Sequence, residues 1–286
     1  MLKKILIIGF LGLGSVVNAN VNAIVSVLPQ VTFLKAIGGD KVNISLMVKP
    51  GNSPHTYEPK PSQMRSISKA DVYFAIGVEF EKIWLPKFIN QNNKMKVLDI
   101  GNGVTLMEME KHHKDNYKEN HNHKTISFDP HIWTSPDNVR VIIKNILKYL
   151  VKIDNKNKEY YTNNYKKFID TLDETDNKIK NILKELPRDA KFMVFHPAWG
   201  YFAKQYCLKQ IPIEIEGKSP KPKDIIKLIN DAKEQNIKAI FTAPEFSEKV
   251  AKRVATELNI PIVKISPLNP KWSKNLIKLA KSISNK

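Results

Sequence analysis

Three of the seven histidines in this 286-residue chain sit in short segments of distinctive composition. His55 lies in the turn-rich stretch Ser53-Pro54-His55-Thr56-Tyr57-Glu58-Pro59. His131 lies in Asp129-Pro130-His131-Ile132-Trp133, and His196 in Phe195-His196-Pro197-Ala198-Trp199-Gly200-Tyr201. Neutral imidazole suits zinc, copper, nickel and iron, and is a poor ligand for magnesium or calcium. Three such rings meeting at one point would hold zinc at about 2.0–2.1 Å and leave a fourth tetrahedral position for water or a carboxylate. Any one of these histidines alone would more often cap a loop. Their shared placement around expected strand ends points to metal.

The other four histidines, His112, His113, His121 and His123, fall between Glu108 and Thr125 among Lys, Glu, Asp and Asn. With no apolar periodicity, residues 108–127 read as a surface loop. The single cysteine, Cys207, excludes an internal disulfide framework and any cysteine-built zinc or iron–sulfur site from this chain alone. It reads as core rather than nucleophile. Neither a His-Glu-x-x-His zinc-protease pattern nor a phosphate-cradling glycine loop is present.

The elements that must position these residues alternate. Expected strands are Ala23–Leu28, Asn43–Val48, Asp71–Gly77 and Met95–Ile100, then Lys191–Phe195, Ile211–Ile215, Ile237–Thr242 and Pro261–Ile265. Helical patterns such as Pro61–Lys69 and Pro222–Gln235 lie between them. Four strands in each half predict an α/β protein of two domains with parallel sheets. Loops beyond the carboxyl ends of parallel strands line the ligand crevice, which would bring the three imidazoles to the interface of the domains. Between the halves, Ser135-Pro136-Asp137 starts a helix with an apolar stripe from Val139 to Leu150. A second helical run follows the interruption at Asp154–Asn157, carries apolar residues from Tyr161 to Leu186 and ends at Pro187. At about 30 residues or 45 Å, it is long enough to tie two domains together.

The first residues read differently. Lys3-Lys4, the uncharged apolar run Ile5–Val17 and the small residues ending at Ala19 or Ala23 have the pattern of a secretory signal peptide. The run is shorter than the roughly 20 residues a membrane helix needs, and no cysteine follows it for a lipid anchor. The expected division is a signal peptide at 1–23, an N-terminal lobe at 24–136 holding the loop 108–127, connecting helices at 137–187, and a C-terminal lobe at 188–286. A formal charge of +18 could attract nucleic acid, but lysines such as Lys144, Lys148 and Lys152 are spread along helices without interleaved aromatics. They read as a solvated surface.

Pro54-His55-x-Tyr57-Glu58-Pro59, Asp129-Pro130-His131-Ile132-Trp133 and Phe195-His196-Pro197-Ala198-Trp199-Gly200-Tyr201-Phe202 resemble the metal-binding signatures of the zinc/manganese ABC-transporter substrate-binding proteins. The likeness is greatest to the periplasmic zinc-binding, ZnuA-like branch. Ala70-Asp71-Val72-Tyr73 to Trp84, and Ile240 to Ser247, resemble two further stretches of that family. The resemblance implies two (β/α)₄ lobes joined by a long helix, with the metal between them. By match, His55, His131 and His196 take the ligand roles. It also implies a monomer that delivers Zn²⁺, as cargo, from the periplasm to a membrane permease driven by a separate ATPase.

Many relatives place an aspartate where this chain has Ser266, so the fourth ligand is expected to be water, with Glu58 or Glu216 as weaker candidates. Three nitrogens without an evident acid favour zinc over manganese, although copper or nickel would also bind. The histidine-rich loop, in zinc members of the family, suggests loose metal capture, and a plain solvated loop is the alternative. Two further readings stay open here. One is a secreted zinc-dependent hydrolase using the same three histidines with Glu58 as general base. The other is a family member that binds manganese or another divalent metal. An adhesin-like surface role lacks the anchoring cysteine.

Overall fold

The computed structural model describes residues 20–109, 128–214, 220–235 and 237–285. Most of the expected signal peptide, most of the histidine-rich loop, and Glu216 lie outside them. The first lobe holds strands β1 (Val21–Val25), β2 (Val42–Leu46), β3 (Val72–Ala75) and β4 (Lys96–Asp99), with helices α1 (Leu28–Gly38), α2 (Pro61–Ser68) and α3 (Glu79–Gln91). All strand pairs are parallel, in the order β2-β1-β3-β4. β1 starts two residues earlier than expected. A boundary after Ala23 falls inside this inner strand, and one after Ala19 falls before it.

α4 (Pro136–Ile153) begins as expected, with the Ser135 hydroxyl accepting the Asn138 backbone N–H at 3.3 Å and proline in the first turn. Its buried stripe is Val139, Ile142, Ile143, Ile146 and Leu150, and it packs on α1. Asp154 ends it. α5 (Lys158–Leu183) has 26 residues, about 39 Å of helix, and touches α1, α4 and the C-terminal helix.

The second lobe repeats the plan of the first. Strands β5 (Ala190–Val194), β6 (Leu208–Pro212), β7 (Ile240–Thr242) and β8 (Ile262–Lys264) are parallel in the order β6-β5-β7-β8. Helices α6 (Gly200–Gln205), α7 (Pro222–Glu234) and α8 (Lys249–Leu258) follow β5, β6 and β7. Both faces of the sheet are covered, so its inner strand β5 is buried and apolar from Phe192 to Val194, after an exposed Lys191 near its start. Phe192 and Val194 face the large core shared with the first lobe, while Met193 and Phe195 join the core under α7 and α8. β6 lies three residues before its expected place. Pro212 has no N–H to give a sheet, which suits the last residue of this edge strand better than its middle.

After β8 the chain returns to the first lobe as α9 (Trp272–Ser284), which packs along α5. The Trp272 ring meets Phe33 of α1 edge-on, with centroids 5.6 Å apart. Its indole N–H donates to the Trp133 carbonyl at 2.7 Å, and the Trp133 indole donates to the Pro267 carbonyl at 2.8 Å. Two buried tryptophans thus stitch the lobes with both polar tips satisfied.

Candidate metal centre

The carboxyl ends of both sheets face one another across the interface, and the loops that leave them build a single cavity. Its walls include His55 after β2, Glu79 after β3, His131 after β4, His196 after β5 and Glu245 after β7. The three histidines expected from the sequence are brought together. One ring nitrogen from each of His55, His131 and His196 lies within 4.8 Å of the other two. His196 sits centrally, its ring 5.1 Å from each of the other two rings by centroid.

Each imidazole meets a carboxylate through Nδ1. His55 Nδ1 is 2.7 Å from Glu79 Oε2. His131 Nδ1 is 2.7 Å from Asp129 Oδ1, which also accepts the His131 backbone N–H at 2.9 Å. His196 Nδ1 is 3.2 Å from both oxygens of Glu214. A carboxylate on Nδ1 holds the proton there and leaves Nε2 as the basic atom, the arrangement that orients and strengthens a metal-binding histidine. Nε2 of His196 is buried and has no hydrogen-bond partner among the described residues. Such an atom costs free energy unless something fills its place, and a cation suits it.

Packing fixes the rings further. Phe246 stacks on His196 with centroids 4.5 Å apart, and Trp133 meets His131 edge-on at 5.4 Å. The Tyr201 hydroxyl donates to the Asp129 carbonyl at 2.9 Å, so α6 of the second lobe holds the His131 segment of the first. Below Glu79, the buried Glu81 accepts the backbone N–H groups of Ile76 at 3.0 Å and Gly77 at 2.7 Å, together with the Ser26 hydroxyl. Burial pushes its carboxyl up to about 7. Gly77 adopts φ +88°, a conformation suited to glycine, and this turn sets Glu79 at the start of α3.

The charges oppose one another. Contact with His55 holds the Glu79 carboxyl down to about 2. The same contact raises the His55 imidazole pKa, against burial, which lowers it. Burial lowers that of His196, with the neighbouring His131 and His55 acting the same way and Glu214 opposing. The central ring therefore favours its neutral, ion-binding form.

Sequence reasoning gave no role to Glu79, Asp129, Glu214 or Glu245. The signal available was an acid in each of the loops after β3, β4, β6 and β7. Glu58 is exposed and does not line the cavity.

Over residues 24–285 the chain matches the family model described as "Zinc-uptake complex component A periplasmic". The chain belongs to that family. It is 33% identical over 235 residues to the high-affinity zinc uptake system protein ZnuA of Bacillus subtilis, covering 80% of this chain and 73% of that one. It is 30% identical over 249 residues to the manganese ABC transporter substrate-binding lipoprotein PsaA of Streptococcus mitis, covering 83% and 76%. A crystal structure of ZnuA superposes with a TM-score of 0.85 at 39% identity, covering 93% of this chain and 98% of that one.

Family membership makes this a substrate-binding protein of a metal ABC transporter, a binder of divalent metal rather than an enzyme. The hydrolase reading falls with it, since Glu58, its only candidate base, stands outside the cavity. Among the described residues no helix is long and apolar enough to cross a membrane.

Proposed function

We propose that this protein captures Zn²⁺ in the periplasm as a monomer and hands it to a membrane permease driven by a separate ATPase. His55, His131 and His196 bind the ion through Nε2, and the residues before β1 act as the export signal. The observation that carries the reading is the triangle of imidazole nitrogens within 4.8 Å, each ring backed by its own carboxylate. Three nitrogens select for zinc over manganese, which stands low in the Irving–Williams order and prefers oxygen. The manganese reading rests on the PsaA relatives, and the nitrogen-rich donor set weighs against it.

The test is competition titration of the purified protein with zinc and manganese. Zinc is expected to bind far more tightly. His131→Ala should weaken it by more than the roughly 10–100-fold typical of changes outside the ligand set. Equal binding by His131→Ala and the parent would overturn the site assignment.

A further inference from the structure

Three imidazoles leave one position of a tetrahedral zinc ion open. We propose that Glu245 fills it, with its Oε2 as the fourth ligand and Ser266 as the hydroxyl that orients the carboxylate. This rests on the reading of the three histidines as ligands.

Glu245 comes from the loop after β7, in the lobe that supplies His196, and lines the same cavity as the three rings. Its two oxygens differ. Oε1 accepts the Ser266 hydroxyl at 2.7 Å, and Ser266 Oγ is itself fixed by accepting the Leu268 backbone N–H at 3.0 Å. Oε2 is buried and without a hydrogen-bond partner among the described residues. A carboxylate oxygen stripped of water and given no donor is unfavourable unless a positive charge comes to it. Two further buried atoms of the cavity residues have no hydrogen-bond partner among the described residues: His196 Nε2, one loop away in the same lobe, and Glu79 Oε2, whose neighbour is His55 Nδ1 at 2.7 Å.

Glu245 is not part of the tight nitrogen cluster, so the carboxylate must move inward as the ion arrives. The side chain has the torsions to do this, and Ser266 can follow by rotating its hydroxyl. Glu58 cannot serve in its place because it is exposed and off the cavity. The completed site would be three nitrogens and one anionic oxygen, each held by a partner of its own. The added oxygen also makes manganese a better competitor than three nitrogens alone would.

The experiment is competition titration with zinc and manganese, and the visible spectrum of the cobalt(II)-loaded protein, on the parent, Glu245→Gln, Ser266→Ala, Glu58→Gln and His131→Ala. Circular dichroism checks that each variant is folded. Glu245→Gln is expected to weaken zinc at least about 10-fold, to weaken manganese by a larger factor and to change the cobalt spectrum. Ser266→Ala should show a smaller loss, and Glu58→Gln none. If Glu245→Gln binds zinc within twofold of the parent with an unchanged cobalt spectrum, while His131→Ala fails, the fourth ligand is water and this proposal is wrong. If the parent itself binds no zinc, the underlying reading of the histidines falls as well.

Discussion

Gly200 and Asp129 meet across the lobe interface so closely that a single methyl group would not fit between them. A Cβ on Gly200 would stand 2.7 Å from Asp129 Oδ2 and 3.2 Å from the Gln210 amide nitrogen. The bare backbone at the start of α6 lets the Asp129 carboxylate lie flat against the second lobe. There its other oxygen holds His131. The glycine of Phe195-His196-Pro197-Ala198-Trp199-Gly200 thus serves a histidine 69 positions earlier in the chain.

Gly200→Ala should therefore damage metal binding more than folding. The methyl displaces Asp129, and His131 loses its fixed tautomer and orientation. Zinc affinity is expected to fall roughly 10-fold or more, as for other changes behind a ligand, with the circular dichroism spectrum unchanged. Unchanged affinity would mean that Asp129 relaxes without consequence.

The two carboxylates behind the buried rings, Asp129 and Glu214, should rank by their contacts. Asp129→Asn breaks a 2.7 Å contact to a buried ring and is expected to weaken zinc about 10–100-fold. Glu214→Gln acts on a longer, 3.2 Å contact and should cost less. Calorimetric titration by chelator competition reads both, and a reversed order would contradict the geometry.

Zinc binding should weaken as pH falls, because each imidazole must be deprotonated to bind. For His55, Glu79 favours the protonated ring and raises its pKa above the ordinary 6.5. Proton competition at that ring therefore begins above 6.5 as pH is lowered. Glu79 remains ionised down to about 2, so the raising charge persists throughout the accessible range. Glu79→Gln should move the onset of zinc loss to lower pH, measured by competition titration between about pH 5 and 8. A shift to higher pH would show that Glu79 acts otherwise.

Trp272→Phe tests the stitch between lobes. The change keeps the ring against Phe33 but leaves the buried Trp133 carbonyl without its indole donor. An unsatisfied buried acceptor costs about 1–3 kcal/mol, so the urea midpoint of the metal-free protein should drop accordingly.

Much of this was legible in the residues. Apolar runs place seven of the eight strands of the described residues, all but β6, because a parallel sheet covered on both faces needs continuous Val, Ile and Phe. Ser135-Pro136 marked the start of α4 through its capping chemistry. The edge strand β6 was misplaced because Ile211, Ile213 and Ile215 read as alternation, while the turn at Cys207, with φ +53°, carries no sequence signature. The histidines stood out because imidazole is scarce and specific. Glu79, Glu214 and Glu245 did not, since a lone acid in a loop looks like solvated surface until tertiary contact buries it. No spacing rule links Glu214 to His196 or Ser266 to Glu245.

The nitrogen triangle is drawn from two sheets, two corners on one and the third on the other. Letting the cargo go therefore requires no unfolding. A change in the angle between the two sheets would carry His196 away from His55 and His131 while every strand keeps its hydrogen bonds, and it would strain the Tyr201–Asp129 and Trp133–Pro267 bonds between the halves. Affinity becomes a function of an angle, and whatever grips both halves at once can set that angle.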